Sequence, residues 1–271
     1  MLKLKTFKNI LLSFLAVILL FAAAFIFSLK GKYVPPILMY HSVNKEVNPY
    51  IKALIVSPDT FEKQMRFLKI HKYNVIPLED LAGLIRQAKP IPAKTVVITL
   101  DDGFKDNYTE AFRVLKKYRL PATIFIIINE VGRADRLNWA EIKEMKACGL
   151  VDFGSHTMGP DPLIKITSRE ELKKQIFDSK KILEEKLGGE VGSFSYPEGM
   201  FNEDIRKLVI DAGYKCAVAT KTGLDHPWKD VFLLKRLRIS ENCRNMFVFA
   251  AEISGYYTYI KDNKKRKHKK R

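Results

Sequence analysis

VVITLDDGFKDNY, residues 96 to 108, is the stretch from which the fold can be read. Four aliphatic residues and one threonine, Val96 to Leu100, run straight into Asp101, Asp102 and Gly103. A run this short, β-branched and lacking polar alternation reads as a strand buried on both faces, as in a parallel sheet. Two adjacent carboxylates at its C-terminal end are costly, because like charges are held together. A metal ion relieves that repulsion: one carboxylate can ligate while the other acts as a base, and Gly103 permits the sharp turn that follows.

Working outward, the same kind of run recurs at Ile37 to Tyr40, Val75 to Pro77, Thr123 to Ile128, Val151 to Gly154, Ser193 to Tyr196, Cys216 to Ala219 and Leu234 to Ile239. Amphipathic stretches with helix-start signals lie between them. Ser57 followed by Pro58 is an N-cap with proline at the first helical position, and Phe61, Met65 and Leu68 then share one face. Ser168 with Glu171 has the spacing of a capping box, followed by an apolar stripe of Leu172, Ile176, Leu183 and Leu187. Alternating strand and helix units define an α/β fold. Seven or eight such units in one uniform stretch, residues 33 to 258, fit a (β/α) barrel better than a small open sheet. In a barrel the chemistry sits where strands end, so polar residues just after each run become the candidates.

His156 follows one such run in FGSHTMGPDPL and is a nitrogen ligand of the zinc type. Tyr196, Pro197, Glu198 and Gly199 form a turn after another, able to present backbone N–H groups to an oxyanion. His41 ends the first run, in ILMYHSV. Tyr40, Tyr196, Phe201 and Trp139 are aromatic residues near the expected mouth.

Composition sets the outer bounds. The 271 residues are 47% hydrophobic and 28% charged, which excludes a disordered or collagen-like chain. Three cysteines (Cys148, Cys216, Cys243) form no Cys-x-x-Cys pair and read as small buried hydrophobes. Residues 9 to 29, NILLSFLAVILLFAAAFIFSL, carry no charge over 21 positions. At about 1.5 Å per residue that length matches a bilayer core, so the segment reads as one N-terminal transmembrane anchor, with a signal peptide cleaved near Ala22 to Ala24 as the competing reading. Lys3, Lys5 and Lys8 hold residues 1 to 8 in the cytoplasm and place the catalytic domain outside it. Lysine and arginine number 47 against 30 acidic residues, a formal net charge of +17. Residues 261 to 271, KDNKKRKHKKR, hold eight of those cations and one aspartate, and read as a solvated, disordered tail suited to anionic lipid or an anionic polymer. A nucleic-acid partner is not expected outside the cytoplasm.

The ordered set MYHSV, TLDDG, SHT, SYPEG and LKRLRI resembles the polysaccharide deacetylase family, the NodB homology domain, over roughly residues 36 to 240. The resemblance implies a distorted (β/α) barrel of about seven strands. It also implies a hydrolase acting on carbon–nitrogen bonds other than peptide bonds, removing N-acetyl or O-acetyl groups from envelope polysaccharide with a divalent metal ion, zinc by its ligand types. Carried over by position, Asp101 is the catalytic base, Asp102 the metal aspartate and His156 the first metal histidine. The Tyr196 to Gly199 turn lines the groove, and the Glu198 N–H serves the oxyanion. Tyr40, Tyr196, Pro197 and Gly199 are the expected substrate contacts. The chain departs from the family in three places. The second metal histidine, four residues after His156, is Pro160, which leaves Asp161 as the nearest oxygen donor. The arginine that opens the third motif is Ser195. The late general-acid histidine has no matching context, so His41 or His226 takes that role. A catalytically degenerate glycan-binding protein of the same fold is the alternative.

Overall fold

The apolar runs become strands because each is short, β-branched and bounded by turn residues, and those of the ring gain a hydrogen-bonded neighbour on both sides. The computed structural model describes residues 33–45, 53–220 and 230–259, with positions 14, 17 and 261. Within these the strands are β1 (Ile37–Tyr40), β2 (Ser42–Val43), β3 (Ile55–Val56), β4 (Asn74–Val75), β5 (Thr95–Leu100), β6 (Ala122–Ile126), β7 (Val151–Ser155), β8 (Ser193–Ser195), β9 (Cys216–Ala219) and β10 (Leu234–Arg238). The helices are α1 (Pro58–Ile70), α2 (Leu78–Arg86), α3 (Arg113–Tyr118), α4 (Trp139–Ala147), α5 (Arg169–Lys173), α6 (Ser179–Leu187), α7 (Glu203–Asp211) and α8 (Met246–Glu252).

β1, β10, β9, β8, β7, β6 and β5 are neighbours in that order, all pairings are parallel, and β1 also pairs with β5. The described strands therefore close a seven-stranded parallel barrel, as expected. β4 is a two-residue strand outside the ring, beside the start of β5. β2 and β3 form a separate two-residue pair that the sequence pattern does not reveal.

Strand periodicity carries the barrel to its site. Ile37, Val97, Phe125, Cys216, Val218 and Leu234 form one buried cluster with Leu78, Leu81 and Ala82 of α2. Two residues further along three of these strands, the same faces carry Met39, Thr99 and Arg236. Two further again, they carry His41, Asp101 and Arg238. One face thus changes from apolar to ionic toward the C-terminal end of the barrel. The opposite faces, with Leu38, Tyr40, Ile98 and Leu100, pack against Phe61, Met65 and Leu68 of α1, as its spacing predicts. Ser57 caps α1 by accepting from the Thr60 N–H, with Pro58 at the first helical position. Ser168 likewise accepts from the Glu171 N–H at α5. A complete reciprocal capping box occurs elsewhere, between Asn138 and Glu141 at α4.

One expectation is adjusted, and another lies outside the described residues. Cys216 and Cys243 are buried, but Cys148, at the end of α4, is exposed, and all three are free thiols. The predicted anchor at 9–29, apart from positions 14 and 17, lies outside the described residues, as do His226 and the basic tail beyond Lys261. Among the described residues no helix is long and apolar enough to cross a membrane.

Candidate active site

Each strand hands its last residues to one cleft of about 330 Å³ at the C-terminal end of the barrel. Ladder hydrogen bonds fix the starting points: Asp101 N–H donates to the Tyr40 carbonyl (3.0 Å), and His156 N–H to that of Ile126 (2.8 Å). His41, Asp101, Asp102, His156, Tyr196, Glu198 and Gly199, expected from sequence, all line this cleft.

The dry side of the cleft is an ion pair. Arg236 donates two hydrogen bonds to the Asp101 carboxylate, Nη1 to Oδ1 at 2.6 Å and Nη2 to Oδ2 at 2.5 Å. It also donates to Ser195 Oγ (2.9 Å) and Thr99 Oγ1 (3.2 Å). Arg236 is 4% exposed and Asp101 2%, so neither charge is left to water. Burial alone would raise the Asp101 carboxyl, but the Arg236 guanidinium overrides it and brings the group down to about 2. The small Ser195, where the family motif has arginine, leaves room for the arginine of β10. Sequence reasoning named LKRLRI as a motif but missed Arg236 as a site residue. The available signal was a charged residue inside a buried strand, which requires a buried partner of opposite sign.

The other side is open. His156 Nδ1 lies 2.8 Å from the Ser195 carbonyl, which can only accept, so this nitrogen carries the proton. Nε2 then faces Asp102 Oδ1 at 3.5 Å and Asp101 Oδ2 at 3.9 Å. A ring nitrogen between two carboxylates is satisfied by a proton or by a metal cation lying between them. The same tautomer fixing by a backbone carbonyl is how metal-ligating histidines are oriented. Asp102 and His156 therefore fit a divalent cation as two of its ligands. The third is not provided. Among the described residues no group of three His, Cys, Asp or Glu side chains is arranged to hold a metal ion. Asp161 is exposed and Pro160, not Asp161, forms the cleft wall, because the turn after His156 carries the aspartate outward.

Backbone strain gathers at the same rim. Asp102 (φ 69°), Thr157 (φ 70°) and Glu198 (φ 53°) are left-handed without being glycine. For a β-branched threonine this conformation is rare, and such outliers collect where a site is held against local preference. Gly199 (φ 66°) has a separate reason: a Cβ there would come within 1.9 Å of Thr220 Oγ1.

His41 is 8% exposed, and its Nδ1 has no hydrogen-bond partner among the described residues. Burial pulls its proton affinity down, against the opposing pull of Asp101 and Asp102. The segment is anchored from below. Asn107 Nδ2 donates to the His41 carbonyl (2.8 Å), while Asp106 accepts from Ser42 Oγ (2.6 Å) and the Val43 N–H (2.9 Å).

Four expected aromatic or turn contacts are not on the wall. Tyr40 is fully buried; its hydroxyl donates to Gln64 Oε1 (2.8 Å) and its ring packs edge-on against Phe61. Being one residue from His41 on a strand, it points the other way. Pro197 is buried and does not line the cleft. Phe201 packs on Tyr196 at 5.3 Å between ring centroids, and Trp139 starts α4 away from the cleft. Arg136 and Arg238, not anticipated, do line it.

A cleft lined by paired aspartates and histidines at the C-terminal end of a seven-stranded parallel barrel defines a (β/α)-barrel protein with a polar strand-end site. Comparison with known proteins places the chain within that class. Residues 88–217 match the family model described as polysaccharide deacetylase. The chain is 33% identical to YxkH of Bacillus subtilis over 205 residues, 76% of this chain and 71% of that protein. It is 28% identical to a poly-beta-1,6-N-acetyl-D-glucosamine N-deacetylase of Staphylococcus aureus over 225 residues, 79% and 76% of the two chains. Among solved structures, the Streptococcus pyogenes deacetylase PplD in complex with acetate superposes with a TM-score of 0.70 and 30% identity, covering 77% of this chain and 93% of that one. The chain belongs to the polysaccharide deacetylase family.

Proposed function

We propose that this protein removes acetyl groups from an acetylated polysaccharide of the cell envelope, N-acetyl groups on glucosamine units in the first instance. The observation that carries this reading is the pairing of an ionised, arginine-held Asp101 with the Asp102–His156 pair at one cleft. Asp102 and His156 are the residues that would hold a divalent cation, which when bound polarises a carbonyl and acidifies water. Asp101 stays ionised and accepts the proton of the attacking water as the carbon–oxygen bond forms. His41 faces the same cleft and hands a proton to the leaving nitrogen as the carbon–nitrogen bond breaks. Its ring is neutral by burial, so the proton it delivers is the one Asp101 has taken from the water; the water's second proton follows to the nitrogen, so that amide and water give acetate and an ammonium. The left-handed turn at Glu198 supplies the backbone beside the developing oxyanion. Tyr196 and Arg136 shape the wall around the sugar.

The uncharged stretch at 9–29 supports a single-pass anchor with the barrel outside the cytoplasm. The basic tail supports contact with anionic lipid or polymer. One observation favours a second reading: with Pro160 on the cleft wall and no third donor among the described residues, the barrel would bind glycan without cleaving it. Acetate release from N-acetylglucosamine oligomers, with and without added zinc, separates the two. Metal-stimulated release that disappears in Asp101→Asn supports hydrolysis. No release with glycan binding retained supports the binder.

A further inference from the structure

A second cavity adjoins the candidate active cleft and plays no part in the proposed chemistry. It also measures about 330 Å³, within the size range of small-ligand pockets, and Thr220, Arg236 and Arg238 belong to both walls. Arg236 is committed to Asp101. Arg238, at the end of β10, is exposed and has no carboxylate partner among the described residues. Beyond it the wall is formed by Tyr257 and Lys261, whose ammonium lies 5.2 Å from the Tyr257 ring centre. Glu252 is the acid on this wall, and it accepts from Cys243 Sγ. The cavity thus offers a guanidinium with no carboxylate partner among the described residues, a cation resting on an aromatic ring, and continuity with the cleft.

We infer that this cavity is a subsite for an anionic sugar unit, one bearing a carboxylate or phosphate, next to the acetylated unit in the active cleft. The inference rests on the deacetylase reading for the identity of the neighbouring site. Arginine pairs with carboxylate and phosphate through two parallel hydrogen bonds, and a ring beside it suits the apolar face of a sugar. A unit that has already lost its acetyl group carries an ammonium, which Arg238 and Lys261 repel. The subsite therefore favours chains whose neighbouring unit is acidic over neutral or already processed ones. The formal net charge of +17 draws a polyanion to the protein in the same direction.

The test is equilibrium binding of the full chain to three acetylated oligosaccharides of equal length. These are a neutral N-acetylglucosamine oligomer, a hyaluronan oligomer in which a uronate alternates with N-acetylglucosamine, and an O6-phosphorylated N-acetylglucosamine oligomer. At least one anionic oligomer should bind about 10-fold tighter than the neutral one at low salt, with the advantage shrinking as salt rises. Arg238→Gln should remove most of that advantage, read as the ratio of anionic to neutral affinity, and Lys261→Gln, which does not line the active cleft, should remove a smaller part while leaving neutral-oligomer affinity within about twofold. Tighter hyaluronan than phosphate-oligomer binding assigns a carboxylate; the reverse assigns a phosphate. Equal affinity for all three, or an anionic preference that survives both substitutions, overturns the inference. Anionic preference without acetate release keeps the subsite and refutes the hydrolase. Acetate release without the preference does the reverse.

Discussion

The two sides of the candidate cleft are built from the same strand end yet solve opposite problems. Asp101 and Arg236 are both buried and complete each other through two short hydrogen bonds. Asp102 and His156, a residue or a strand away, face each other at 3.5 Å. The first pair is complete within the fold; on the proposed reading the second is completed by a bound cation. On that reading one aspartate serves structure and proton acceptance while its neighbour stays open for a cation.

The largest effect should come from breaking the closed side. Arg236→Ala leaves the Asp101 charge buried and unpaired, and should lower stability by about 3–5 kcal/mol in urea unfolding. Adding Asp101→Ala to that variant should recover part of the loss, because the orphaned charge is gone. No loss in the single variant would mean that the pair is not buried as described.

The open side should respond in the opposite way. Asp102 is partly exposed, so Asp102→Ala should change stability by less than about 1 kcal/mol. It should nonetheless lower cation affinity by at least about 10-fold and remove metal-stimulated acetate release. Unfolding midpoints and calorimetric metal titration read the two effects separately. A large stability loss with unchanged cation affinity would erase the distinction between the sides.

The smallest effect sharpens where the cleft stops. Tyr40→Phe removes the hydrogen bond to Gln64 and should cost about 1 kcal/mol of stability, leaving glycan affinity unchanged. A clear fall in glycan affinity at unchanged stability would return Tyr40 to the cleft.

The strands were legible because a closed parallel barrel demands short, uninterrupted β-branched runs, and the chain has them in order. β1 and β9 begin and end where the sequence pattern puts them. β2 and β3, two residues each, are too short to carry a pattern. Asp101, Asp102, His156 and His41 were legible because each follows such a run directly. Tyr40 was misjudged by one strand position, which reverses the face. Asp161 was chosen for its chemistry, but the turn after His156 sends Pro160 inward and the aspartate out. Arg236 lies 135 residues from Asp101 and could be found only by asking what a buried arginine must pair with.

The central claim is that Asp102 and His156 together hold a cation, and zinc titration of the full chain by calorimetry tests it most directly. The account predicts one saturable site that disappears in His156→Ala and tightens by at least about 10-fold in Pro160→His, which restores a third donor to the wall. No zinc uptake by the wild-type chain, or uptake unchanged in His156→Ala, would contradict it.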